Sequence, residues 1–166
     1  DLNYAEENCS GILLAWYPGA RGGKAVADLL FGKVSPSGKL PVTFYKDLEG
    51  MPEFTDYSMK NRTYRYMEGE ALYPFGYGLT YGAVRVKEVQ VLNAVTGESD
   101  IEVQVAVENR GGTDTEDVVQ IYIKDMESPL AVRNYNLCAF HRVFLKAGES
   151  QTLTLNVPNR AMEVVD

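Results

Sequence analysis

The chain has 166 residues, 45% hydrophobic and 23% charged, a balance that argues against wholesale disorder. Its 16 Lys and Arg against 23 Asp and Glu give a net charge of −7, so it lacks the basic field that draws proteins to nucleic acid or anionic lipid. No apolar run approaches the roughly 18 residues of a membrane span, because Pro18-Gly19 breaks the uncharged stretch Gly11 to Ala20. A soluble protein without nucleic-acid or membrane partners is expected. The chain opens on Asp1-Leu2-Asn3-Tyr4, with no initiator Met or leader, as a processed chain or a fragment would.

From Asp1 to about residue 50 the pattern is α/β. Tyr4 to Asn8 is compatible with a helix, and Gly11 to Tyr17 forms a continuous apolar run, expected as a strand covered on both faces. Lys24 to Phe31 carries Ala25, Val26, Leu29 and Leu30 at helical spacing, with Gly32 where a helix ends. Ser35-Pro36-Ser37-Gly38 reads as a turn and Leu40 to Tyr45 as a strand that Pro41 places near an edge. One strand-helix-strand unit cannot bury both faces of a sheet. The segment 1–50 is therefore expected to be the end of a larger α/β domain, a torn edge whose other strands lie elsewhere.

Between Met51 and Tyr81, eight aromatic residues from Phe54 to Tyr81 are scattered among Pro, Gly and charged residues with neither strand nor helix periodicity. Tyrosine buries a large ring and keeps its hydroxyl bonded, so the segment 51–81 is expected as an extended strap lying on its neighbours.

From residue 82 to 166 period 2 takes over. Val84 and Val86, then Val89 and Val91, alternate with a slip at Lys87-Glu88 that suggests a bulge, and Ile101, Val103, Val105 and Val107 alternate without interruption. Val119 to Ile123, Leu137 to Leu145 and Leu153 to Val157 continue the pattern, with turns at Gly111-Gly112 and Ala147-Gly148-Glu149. About six or seven strands are expected, as an antiparallel immunoglobulin-like sandwich.

Chemistry-bearing motifs are few. Gly19-Ala20-Arg21-Gly22-Gly23-Lys24 has the wrong spacing for a P-loop, and Ala25 follows the Lys where Ser or Thr would be needed; tight strand-to-helix packing explains it better. Carboxylate pairs such as Glu68 and Glu70, Glu116 and Asp117, or Asp125 and Glu127 could in principle serve hydrolysis, yet in an acidic chain they read as solvated surface. His141 has no nucleophile marked by a turn motif and no metal-ligand companion, while Cys9 and Cys138 read as two buried free thiols. Asn8-Cys9-Ser10 and Asn61-Arg62-Thr63 fit the glycosylation tripeptide, which matters only in a eukaryotic secretory pathway. Arg62-Thr63-Tyr64-Arg65-Tyr66 combines aromatic faces and guanidinium groups suited to sugars, against the simpler role of Arg groups tying the strap to backbone carbonyls. No catalytic, metal or cofactor-binding residue is assigned, and no cofactor is implied.

Several segments in order resemble the C-terminal part of glycoside hydrolase family 3: Ala15-Trp16-Tyr17-Pro18-Gly19 with Gly22 to Gly32, Pro36 to Phe44, Arg62 to Tyr66, and Leu72-Tyr73-Pro74-Phe75-Gly76-Tyr77-Gly78-Leu79-Thr80-Tyr81. Glu116 to Tyr122, Phe140 to Val143 and Ala147 to Ser150 resemble that family's fibronectin type III-like domain. The Arg-Thr-Tyr-Arg-Tyr stretch is most similar to the β-xylosidase branch, with β-glucosidases close by. The resemblance implies a retaining exo-β-glycosidase built from a barrel, an α/β sandwich and this β-sandwich, acting on terminal sugars of plant-type oligosaccharides. It implies that the nucleophilic aspartate lies in a Ser-Asp-Trp segment of the barrel, which Ser99-Asp100-Ile101 does not match, and that the acid/base glutamate precedes the stretch present here. The chain alone is then expected to be inactive and to need the missing barrel and sandwich portion as its partner, whether within one parent chain or as the other half of a split enzyme. A stand-alone carbohydrate-binding or adhesion module is the alternative, disfavoured by a predicted sandwich with few aromatics and no exposed aromatic row.

Overall fold

A computed structural model describes residues 2–93, 95–96 and 98–164. Three short helices precede five strands: α1 (Asn3–Asn8), α2 (Gly22–Leu30), α3 (Thr63–Tyr66), β1 (Val84–Val91), β2 (Ile101–Asn109), β3 (Thr115–Ile123), β4 (Asn136–Leu145) and β5 (Ser150–Val157), with a 3₁₀ turn over Asn159–Met162.

Helix α2 forms where the apolar spacing predicts it. Its end is a Schellman arrangement, in which the Gly32 amide donates to the Leu29 carbonyl (2.9 Å) and the Lys33 amide to the Asp28 carbonyl (2.8 Å). Gly32 makes this closure at φ +68°, a backbone conformation that a side chain resists.

The strands form two antiparallel sheets, one ordered β1-β2-β5 and one β3-β4. The predicted slip in β1 is real: pairing with β2 shifts between Val86 and Glu88, leaving Lys87 as the extra residue. Strand β2 sends Ile101, Val103, Val105, Val107 and Asn109 inward, and these meet Val119 of β3, Val143 and Leu145 of β4, and Leu155 and Val157 of β5. Among the described residues, every buried hydrophobic side chain belongs to β2–β5. Strand β4 packs against β5. The β1 side of the first sheet is left uncovered. Val86, Val89 and Val91 sit opposite the buried Val107, Val105 and Val103 and share their face, yet each is more than half exposed.

The expected six or seven strands are five among the described residues. Two further differences fall in the front segment. Gly11 to Tyr17 pairs with no strand among the described residues, and its Ile12, Leu13, Leu14, Trp16 and Tyr17 are all exposed. Periodicity identifies a segment that suits a sheet, but a strand exists only where a neighbour accepts its hydrogen bonds. Likewise Leu40 to Tyr45 makes a single bridge, Phe44 to Tyr73, flanked by hydrogen bonds from the Leu40 amide to the Tyr77 carbonyl and from the Gly76 amide to the Leu40 carbonyl. Its partner is the strap.

Candidate functional site

The segment 51–81 is held at three levels. Within it, the Arg62 guanidinium donates to the carbonyls of Glu53 (2.6 Å) and Asp56 (2.8 Å and 3.1 Å). Asn61 donates to the Gly50 carbonyl (2.9 Å) and accepts from the Glu68 amide (3.0 Å). These bonds hold a backbone at positive φ for Met59 (63°), Asn61 (57°) and Thr63 (54°), the last β-branched and costly there. Arg62 thus works as a tie to backbone carbonyls, and the Asn61 amide of the glycosylation tripeptide is already committed to the Gly50 carbonyl just before the strap.

The second level is aromatic. Tyr64, at the start of α3, stacks on Phe75 with ring centroids 4.2 Å apart and meets Tyr122 of β3 edge-on at 6.1 Å. Tyr135, just before β4, lies 5.5 Å from Tyr64 and 5.1 Å edge-on from Tyr122. The Tyr64 hydroxyl accepts from the Leu137 amide (2.9 Å), while Asn134 donates to the carbonyls of Tyr64, Arg65 and Met67. Burial, with Tyr64 and Tyr135 alongside, pushes the Tyr122 phenol up to about 12.

The third level joins the front segment to the sandwich. Thr115 of β3 donates its hydroxyl to Ser35 Oγ (2.7 Å), which also accepts from the Tyr81 amide (2.9 Å), and Arg142 of β4 donates to Ser37 Oγ (3.0 Å). Lys39 reaches both the Gly78 carbonyl (2.8 Å) and the Asp117 carboxylate (2.7 Å), with both side chains about 15% exposed. Ser35-Pro36-Ser37-Gly38, expected as a turn, forms none in the structure and serves instead as a clasp on the sheet. Asn109, 1% exposed, secures the adjoining corner by accepting from the Ala83 (3.1 Å) and Gly111 (2.9 Å) amides and donating to the Thr113 carbonyl (2.9 Å).

Most of the carboxylates noted in the sequence have local partners. Glu68 pairs with Arg133, Glu70 with Lys46, Glu116 with Arg142 and Asp117 with Lys39. Asp125 accepts from the amides of Glu127 and Ser128, which hold its carboxyl below the usual range. Asp100, the residue of the rejected Ser-Asp segment, accepts from the Asn159 amide (2.8 Å) and Asn156 (2.6 Å), closing the end of the first sheet. His141 is exposed on β4 opposite Val119.

Both cysteines are free thiols, but only Cys138 is sheltered; burial raises its thiol and its Sγ donates to the Ile121 carbonyl. Cys9 is exposed, contrary to expectation, because α1 buries none of its residues and the chain leaves it toward the uncovered apolar run. In the glycine-rich turn, a Cβ at Gly22 would lie 2.3 Å from Pro18 Cβ, so close packing explains that glycine without an anion. Among the described residues no group of three or more His, Cys, Asp or Glu side chains could hold a metal ion, and no helix is long and apolar enough to cross a membrane.

Residues 1–81 match the glycosyl hydrolase family 3 C-terminal domain, and residues 117–166 match the fibronectin type III-like domain. The chain is 44% identical over 160 residues to a xylan 1,4-beta-xylosidase of Xylanibacter ruminicola, covering 96% of this chain and 18% of that protein. Among solved structures, β-glucosidase 3B of Thermotoga neapolitana in complex with glycerol superposes with a TM-score of 0.84 at 32% identity, covering 97% of this chain and 24% of that one. A β-glucosidase of Erythrobacter marinus gives a TM-score of 0.83 at 36% identity, covering 97% and 22%. The chain thus spans about a fifth of the length of the relatives it matches. An α/β piece followed by a β-sandwich, both matched in order, means that this chain belongs to the C-terminal region of glycosyl hydrolase family 3, with its fibronectin type III-like domain.

Proposed function

We propose that the chain is the structural C-terminal region of a retaining exo-β-glycosidase of the β-xylosidase or β-glucosidase kind, hydrolysing terminal sugars of plant-type oligosaccharides. In this reading residues 1–50 close the α/β sandwich domain, 51–81 strap it down and 82–166 form the fibronectin type III-like domain. The observation that carries it is the run Gly11 to Tyr17: an apolar segment inside the family 3 match, with five large side chains exposed and no strand beside it among the described residues. Such a surface is stable only when more sheet covers it, and the remaining four-fifths of the relatives' length is where that sheet would come from.

The chain contributes no catalytic carboxylate. Retaining hydrolysis needs two carboxyls about 5 Å apart, one attacking and one delivering a proton to the leaving oxygen. Five of the six carboxylates in the pairs considered from the sequence, Glu68, Glu70, Glu116, Asp117 and Asp125, are instead tied to cations or turn amides, which supports this reading. Release of nitrophenol from aryl β-xyloside and β-glucoside by the pure 166-residue chain tests this directly. Turnover no higher than buffer is expected; turnover abolished by a single carboxylate substitution would overturn the assignment.

A further inference from the structure

Strap and sandwich together build an aromatic surface that neither possesses alone. A shallow, open depression of about 370 Å³ lies between Pro74, Gly76 and Tyr77 of the strap and Gln120, Tyr122 and Tyr135 of the sandwich. Its rim is aromatic. Tyr77 and Tyr135 are 39% and 38% exposed, and among the described residues neither phenolic hydroxyl has a hydrogen-bond partner.

Its floor is polar and partly unsatisfied. The Tyr122 hydroxyl donates to Gln120 Oε1 (2.7 Å), which leaves the Gln120 amide hydrogens without an acceptor among the described residues. Gly76 packs directly against this pair. At φ +81° its backbone passes so close that a Cβ would lie 2.4 Å from both Gln120 Oε1 and the Tyr122 hydroxyl. No residue lining the hollow is charged.

These features select a ligand class. An uncharged wall offers nothing to a phosphate, an amine or a uronic acid. Two partly open aromatic faces suit a flat apolar surface, and a free amide donor with phenolic hydroxyls suits a ligand rich in hydroxyls. A neutral pyranose has both, an apolar C–H face and an equatorial edge of hydroxyls. We propose that this hollow is a binding subsite for one neutral pyranose unit, seated against Tyr135 and Tyr77 and hydrogen-bonded by Gln120. It does not depend on the parent's catalytic activity, because every residue involved is in this chain.

The test is titration of the 166-residue chain with xylotriose and cellotriose, followed by amide NMR and tyrosine fluorescence. Saturable millimolar binding is expected, with shifts centred on Gly76, Gln120 and Tyr135. Tyr135→Ala and Gln120→Met should each weaken it about tenfold, or about 1.4 kcal/mol, while Tyr57→Ala, elsewhere on the strap, leaves it unchanged. Tyr135→Phe, which removes one hydroxyl and keeps the ring, guards against misfolding and should weaken binding about threefold. The proposal is overturned by the absence of saturation at about 50 mM sugar with a dispersed spectrum, by equal affinity in Tyr135→Ala, or by a neutral proline-rich peptide binding the hollow where sugars do not.

Discussion

The sandwich and the segment before it differ in where their apolar surface goes. In the sandwich, alternating residues of β2 meet β3, β4 and β5, and Val107 and Leu145 reach 0% exposure. In the front segment an equally apolar run leaves Leu13 41% and Trp16 51% exposed, and α2 buries only Gly22. Hydrophobic composition is alike; the supply of neighbouring strands is not. A sequence can therefore carry full strand character and still gain little from it until a second surface arrives.

The largest way to sharpen this contrast is a pair of truncations. Leu145→Ala should destabilise the chain by about 3 kcal/mol in urea unfolding, since a fully enclosed side chain leaves a cavity, whereas Leu13→Ala should change stability by less than about 0.5 kcal/mol. Equal effects at the two positions would erase the distinction between the regions.

The clasp comes next. Lys39→Ala strands the sheltered Asp117 carboxylate and should cost about 2 kcal/mol, less than for a fully buried pair because both side chains retain about 15% exposure. The loss should be recovered in part by Asp117→Asn in the same chain, and a double-mutant cycle reads that coupling. Smaller again is Tyr64→Leu, which removes the stacked ring on Phe75 and the acceptor of the Leu137 amide, for about 1.5 kcal/mol. Limited proteolysis should then cut the strap before the sandwich.

A further expected effect is one of pH. The Tyr122 phenol is raised from 10.0 to about 12, so the folded chain holds this proton more tightly than the unfolded one. Its stabilisation is complete below pH 10 and lost as pH rises from about 10 to about 12. Tyrosinate absorbance should show a late-titrating tyrosine that Tyr122→Phe removes.

Much of the sandwich was legible because its signals are local. The alternation of Ile101 to Val107, the slip at Lys87 and the turn at Gly148 each depend on a few consecutive residues, and each is found in the structure. Helix α2 and its Gly32 terminus were legible for the same reason. The role of Arg62 could be framed in advance because guanidinium groups and loop carbonyls are natural partners, and the structure places them together. What was missed is non-local. Nothing near Asn109 marks it as the buried hub of a corner, since its partners come from residues 83, 111 and 113 and from Leu145 and Lys146. The cluster of Tyr64 and Phe75 from the strap with Tyr122 and Tyr135 from the sandwich was not foreseen either, because its rings come from segments far apart in the chain.

The amino-acid order by itself settled which stretches favour helix or strand, where they turn, and the family to which their motifs belong, because periodicity, glycine placement and short motifs act over a few residues. Tertiary structure alone decided which of those strands find partners. Hydrogen-bonding edges and apolar faces are satisfied by residues far apart in the chain, so Val105 is buried, Leu14 is not, and two scattered sets of tyrosines meet at one junction.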